Sequence, residues 1–268
     1  MGTIILVRHG ENDWSKNNKL AGRIPGVHLN ENGHRQAHAV SQRLAALPIK
    51  AIYSSPVTRC VETAAYIADV HGFNIQQVDE VAEVEYGEWE GKKIKKLAKK
   101  PLWRAVQFFP SRATFPQGES LREVQHRAVQ AVEDIAARHE KELVVVVSHA
   151  DVIRLLLAHY LGVHIDLFQR LVIAPASVSV LGLSPDGMVR VLRVNDDGPL
   201  HMPSPPADRE KGKAKGAKSP RPSDNRAESP EDLPAERADG ISGLHSDNGK
   251  RRSGARHISQ PTALDEEE

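Results

Sequence analysis

The sequence has one cysteine, Cys60, which excludes an intrachain disulfide and fits a reducing compartment. Cys60 itself reads as buried filler. No apolar run approaches the roughly 18 residues that a membrane span needs. The early run Thr3 to Val7 is too short for a signal-peptide core and follows no basic region. Leu6 stands where a myristoylation motif needs Ser or Thr. The expectation is therefore a soluble cytoplasmic protein without a membrane partner. An excess of one charge is also missing, because the formal net charge is +1, and nucleic acid is not expected as a partner. Aromatic residues are scarce, and none follows Phe168.

That last absence divides the chain. Residues 201–268 are crowded with Pro, Ser and Gly and carry twelve Lys and Arg against thirteen Asp and Glu. Such a segment buries too little apolar surface to offset its ordering entropy. It is predicted to be a disordered, low-complexity charged tail, and residues 1–200 the folded domain. Two short basic runs, Lys211 to Lys218 and Lys250 to Arg252, are read as solvated tail charge.

In the folded part, Thr3 to Val7 and Leu143 to Val147 are short, β-branched and almost wholly apolar, the pattern of strands covered on both faces of a parallel sheet. Ala51 to Tyr53 and Ile75 to Val78 are further strand candidates. Helical stretches are predicted over Glu31 to Leu47, Val57 to His71 with Gly72 as the stop, Glu119 to His139, and Val152 to Leu161. Ser120 and Glu123 have capping-box spacing. Ser177 to Leu183 and Met188 to Val194, joined through Ser184-Pro185-Asp186-Gly187, predict a hairpin. Strands alternating with helices predict an α/β fold, a three-layer α/β/α sandwich around a mostly parallel sheet.

Ligands of open α/β sheets sit beyond the carboxyl ends of the strands. Arg8-His9-Gly10-Glu11 and Ser148-His149-Ala150-Asp151 each follow a buried strand there, and His149 also falls at a helix N-terminus, which favours an anion. Arg59 opens a helix after Ser54-Ser55-Pro56. Guanidinium groups bind phosphate oxygens bidentately and stay charged. Two arginines and two histidines suit a phosphoryl group.

The motifs as a set resemble those of the histidine phosphatase superfamily, with its phosphoglycerate mutase-like and cobalamin-pathway phosphatase members. They are Leu6-Val7-Arg8-His9-Gly10-Glu11, Leu29-Asn30-Glu31-Asn32-Gly33 with Gln36-Ala37, Ser54-Ser55-Pro56 with Arg59 and Thr63, Glu83 to Gly91, Gly118-Glu119-Ser120, and Val147-Ser148-His149. They run in order over about residues 3–195. The resemblance implies a phosphoglycerate mutase-like fold. It makes His9 the residue that takes the phosphoryl group, with Arg8, Arg59 and His149 holding the oxygens. It also places Ser15 and Gly22 in the substrate-binding loop. No metal is expected, because no local pair has H-x-x-x-H or C-x-x-C spacing next to a third ligand, and no cofactor is expected. Ser15 is a departure, since many members carry Asn there. Spacing alone leaves Glu83, Glu85, Glu88 and Glu90 open as the proton donor; the family pattern, counting four residues before Gly87, selects Glu83.

Three activities compete: a phosphomonoesterase acting on a small phosphorylated metabolite, a phosphoglycerate mutase-type phosphomutase, and a phospho-ligand binding module without turnover. All four central residues and Glu83 are present, against the binding module. The stretch from Glu83 to His149 is shorter than in mutase relatives, which favours hydrolysis. Trp89, Trp103, Phe108, Phe109 and Phe115 are candidates for a pocket wall or for core. The lysines between Lys92 and Lys100 read as a solvated helix face, and a homodimer is left open.

Overall fold

A computed structural model describes residues 2–198; the tail predicted over 201–268 lies outside them. In chain order the elements are β1 (Gly2–Arg8), α1 (Asp13–Lys16), α2 (Glu31–Leu44), β2 (Ile49–Ser54), α3 (Thr58–His71), β3 (Ile75–Gln77), α4 (Ile94–Leu97), α5 (Pro101–Phe108), α6 (Leu121–Arg138), β4 (Leu143–Ser148), α7 (Ala150–Tyr160), β5 (Val178–Leu183) and β6 (Val189–Asp196). One six-stranded sheet has the order β3-β2-β4-β1-β5-β6. The first four of these strands are mutually parallel, whereas β5 runs antiparallel to β1 and β6 antiparallel to β5.

The continuous apolar runs of β1 and β4 are explained by burial on both faces. Ile4, Leu6, Val144 and Val146 pack into a core with α6 and α7, while Ile5, Val7, Val145 and Val147 pack into a second core with α2 and α3. Alternate side chains of a strand point to opposite faces, so neither face tolerates a polar residue. This is the expected three-layer sandwich.

Local chemistry sets the boundaries. Ser120 Oγ accepts from the Glu123 N–H and the Glu123 carboxylate accepts from the Ser120 N–H, which completes the capping box of α6. Gly72 ends α3 at φ +70°. The helix predicted to reach Leu47 stops at Leu44 instead, and Leu47 closes a turn onto the Leu44 carbonyl at 2.9 Å. The lysines of the 92–100 segment are exposed, but only Lys95 and Lys96 lie in a helix, the short α4, so they form no continuous helix face. Among the described residues no helix is long and apolar enough to cross a membrane.

Candidate active site

The parallel pairing of β1 with β4 is in register through Arg8 and Ser148, and the His9 N–H bonds the Ser148 carbonyl at 3.0 Å. The residues after each strand are therefore neighbours, and the ring centroids of His9 and His149 lie 5.2 Å apart. From β2 the chain turns through Ser55-Pro56-Val57 into α3, and Arg59 is the second residue of that helix. Thr63 Oγ1 donates to the Arg59 carbonyl and accepts from the Gly10 N–H, tying the start of α3 to the loop after His9.

His9 is buried, and its Nδ1 lies 2.7 Å from the Gly10 carbonyl. A carbonyl can only accept, so Nδ1 carries the proton and Nε2 keeps its lone pair. Arg59 Nε donates to that lone pair at 3.1 Å. His149 has the opposite arrangement. Its Nδ1 accepts from Arg59 Nη2 at 3.0 Å, so the proton resides on Nε2, 2.8 Å from Ser55 Oγ. Burial, the Arg59 charge and other nearby cations hold both imidazoles well below the ordinary histidine pKa, so both are neutral near pH 7.

Arg59 is only 1% exposed. Its Nη2 reaches the Gly22 carbonyl at 3.0 Å and one Glu83 oxygen at 3.5 Å, while its buried Nη1 has no partner. Arg8 donates to the Ile173 carbonyl at 2.6 Å and leaves its buried Nε unpaired. A buried cation with unused donors and one distant carboxylate is poorly compensated, which makes the cluster complementary to an added anion. Gly22 offers its carbonyl from a left-handed backbone, φ +54°.

Glu83 meets the cluster from the segment between β3 and α4. One oxygen accepts from the Val84 N–H, and the other lies 3.5 Å from both Arg59 Nη2 and His149 Nδ1. Burial raises its pKa from 4.5 to about 7; Arg59 opposes the rise and Asp151 adds to it. The neighbouring glutamates of the segment are not among the causes. Glu83 and Glu85, two residues apart, do not face the same way. The segment is irregular rather than extended, so Glu83 is buried while Glu85 and Glu88 are exposed.

Arg8, His9, Arg59, Glu83, His149 and Gly22 thus come together. Ser15 does not: it is exposed, and its N–H and hydroxyl bond Asn12. Cys60 is fully buried against His149, its thiol 3.3 Å from Nε2 and pushed up to about 12 by burial. Beside the cluster, Trp89, Trp103 and Phe115 line a cavity of ≈170 Å³ with Tyr86, Asp151 and Arg154. Phe108 and Phe109 lie outside it and are exposed. Sequence reasoning gave Ser55 no role, although its hydroxyl accepts from the Nε2–H that the Arg59 bond leaves on His149. It also overlooked the Tyr86–Asp151–Arg154 bonds. Among the described residues no group of three His, Cys, Asp or Glu side chains could hold a metal ion.

The family model for the histidine phosphatase superfamily (branch 1) matches residues 4–197. The chain belongs to that superfamily. Phosphoserine phosphatase 1 of Hydrogenobacter thermophilus is 33% identical over 186 residues, 68% of this chain and 86% of that protein. The probable phosphoglycerate mutase GpmB of Erwinia tasmaniensis is 31% identical over 178 residues, 66% of this chain and 82% of that protein. YhfR of Bacillus stearothermophilus has the same fold, with TM-score 0.69 at 29% identity over 73% of this chain and 98% of that one. As a histidine phosphatase the chain is a phosphoric monoester hydrolase, in a superfamily that acts through a phosphohistidine intermediate.

Proposed function

We propose that this histidine phosphatase hydrolyses a small phosphorylated metabolite through a phosphohistidine at His9 Nε2. The observation that carries the assignment is the His9 tautomer: the Nδ1–H bond to Gly10 leaves Nε2 unprotonated and aimed at Arg59, with Glu83 and His149 beside it.

In the first step Nε2 attacks phosphorus as the ester P–O bond breaks, and the Glu83 carboxylic acid gives its proton to the leaving alkoxide. In the second, the Glu83 carboxylate takes a proton from water, the water oxygen bonds phosphorus, and the N–P bond breaks to release phosphate. Arg8 and Arg59, with their unpaired buried N–H groups, bind the phosphoryl oxygens, as does His149 once the incoming dianion favours its protonation. Fixed donors of this kind are each worth about 10²–10³ in rate. A carboxyl poised near neutrality suits one group that is acid and then base, a contribution of about 10²–10⁴. Gly22 borders the substrate, and the cavity beside Tyr86 and Asp151 accommodates the alcohol portion. The single buried cysteine suits a reducing cytoplasmic setting.

The test is phosphate release from a phosphomonoester panel headed by phosphoserine and 3-phosphoglycerate, the latter with and without 2,3-bisphosphoglycerate, without added metal. Wild type should release phosphate, and His9→Ala should abolish both release and the trapped phosphoenzyme. Isomerisation of 3-phosphoglycerate without release, or turnover that survives His9→Ala, would overturn the assignment.

A further inference from the structure

Glu83 sits in an irregular segment with neither helix nor sheet to fix its main chain, yet a proton donor has to be placed closely. Displacements of about 1 Å can cost about 10²-fold in rate. Beyond the Ser148 hydroxyl on the Val81 carbonyl, the main chain at Glu83 and Glu85 is held by three side chains from elsewhere. Arg23 Nε donates to the Glu83 carbonyl at 2.7 Å, and Arg127 Nη2, from α6, approaches the same oxygen at 3.3 Å. Arg127 Nη1 also donates to the Glu80 carbonyl.

Both guanidiniums converge on one carboxylate. Glu119 Oε1 accepts from Arg23 Nη2 at 2.9 Å and Arg127 Nη2 at 2.7 Å, and Oε2 accepts from Arg127 Nε at 3.0 Å. Glu119 is bound to the acid segment directly as well: Oε1 accepts from the Glu85 N–H at 2.8 Å, and the Glu119 N–H donates to the Glu85 carbonyl at 3.0 Å. The approach is so close that a Cβ on Gly118 would fall 2.1 Å from the Glu85 carbonyl oxygen. Burial pushes the Glu119 pKa up, but the bonds from Arg127 and the Glu85 N–H outweigh it and bring it below the ordinary value, so the carboxylate stays charged.

We propose that Glu119, gripped by Arg23 and Arg127, is a positioning residue for leaving-group protonation, clamping the Glu83 main chain so that its carboxyl reaches the ester oxygen. Arg23 follows Gly22, whose carbonyl binds Arg59, so the clamp also ties the acid to the phosphoryl-binding arginine. The proposal rests on the assignment of Glu83 as proton donor and goes beyond it by naming what places that donor.

The test compares phosphoserine with p-nitrophenyl phosphate, whose leaving group needs little protonation, using the full chain. The variants are Glu83→Gln, Glu119→Gln, their double, and Arg23→Lys, which changes a partly exposed residue and keeps the charge. Thermal melts verify that each is folded. Losses are read in kcat/KM, which reports phosphoryl transfer from the ester and not the later phosphoenzyme hydrolysis that both esters share: Glu119→Gln should lower kcat/KM on phosphoserine about 10- to 100-fold and on p-nitrophenyl phosphate less than about threefold. Arg23→Lys should show the same split with smaller amplitude. In the Glu83→Gln background Glu119→Gln should change phosphoserine turnover less than about threefold, because the group it positions is gone. Equal losses on the two esters, or a full loss that persists in the double variant, would overturn the clamp while leaving Glu83 in place. Equal losses from Glu83→Gln itself would remove the donor assignment, and the clamp with it.

Discussion

Replacing Glu83 by Gln should disable turnover of alkyl phosphates and, at alkaline pH, make the folded protein more stable. In the folded state the carboxyl is buried and its pKa is raised from 4.5 to about 7. Below pH 4.5 it is protonated whether the chain is folded or not, and contributes nothing. Between 4.5 and about 7 the unfolded chain loses the proton and the folded one keeps it, so stability falls as pH rises; above about 7 the penalty is complete. At about 1.4 kcal/mol per pKa unit the full penalty is on the order of 3 kcal/mol. For a domain of about 200 residues this corresponds to a Tm change of about 6–12 °C. Gln is nearly isosteric and cannot ionise, so the variant escapes the penalty, less whatever attraction to Arg59 is lost. Thermal melts of both proteins at pH 5.0 and pH 8.5 measure it, with Glu85→Gln, at an exposed position, as the control. The variant should melt close to wild type at pH 5.0 and several degrees higher at pH 8.5. A difference independent of pH, or a variant less stable at pH 8.5, would refute the reasoning.

The pH dependence of kcat/KM for an alkyl phosphate should fall above about pH 7 as Glu83 loses its proton, and its acid limb should lie well below 6.5 because His9 is held neutral; the alkaline limb should be weaker with p-nitrophenyl phosphate. Ser55→Ala removes the acceptor for the His149 Nε2–H and should lower kcat about tenfold, an effect the size of one second-sphere hydrogen bond, read in steady-state kinetics with Cys60 left intact. Ser120→Ala breaks the capping box of α6 and should cost about 1 kcal/mol of stability, seen as a Tm lowered by about 2–4 °C.

The parts of this protein written plainly in the sequence are those whose chemistry is local. The runs Thr3 to Val7 and Leu143 to Val147 declare buried strands, the polar residues after them fall at the carboxyl edge of a sheet, and Ser120 with Glu123 declares a helix start. The parts that stayed hidden depend on which segments meet. Spacing left Glu83 and Glu85 equivalent and only the family pattern told them apart, because what separates them is an irregular backbone that buries one against Arg59 and exposes the other. Ser55 matters because β2 pairs with β4 and brings it under His149. Ser15, placed in the substrate loop by resemblance, is exposed and bonds to Asn12. Arg127 looks like one more charge on an amphipathic helix until α6 carries it to the Glu83 carbonyl.

The pairing of Thr3 with Leu143 through Arg8 with Ser148 has a consequence for how the enzyme comes to life. β1 has no parallel neighbour until β4 has been made, more than half of the described chain later, and contacts so distant in sequence form slowly. A nascent or truncated chain that stops before β4 holds His9 and Arg59 but has neither His149 nor the strand that aligns them. Catalysis therefore has to await that pairing, and phosphatase activity during refolding should appear no earlier than the closure of the central sheet.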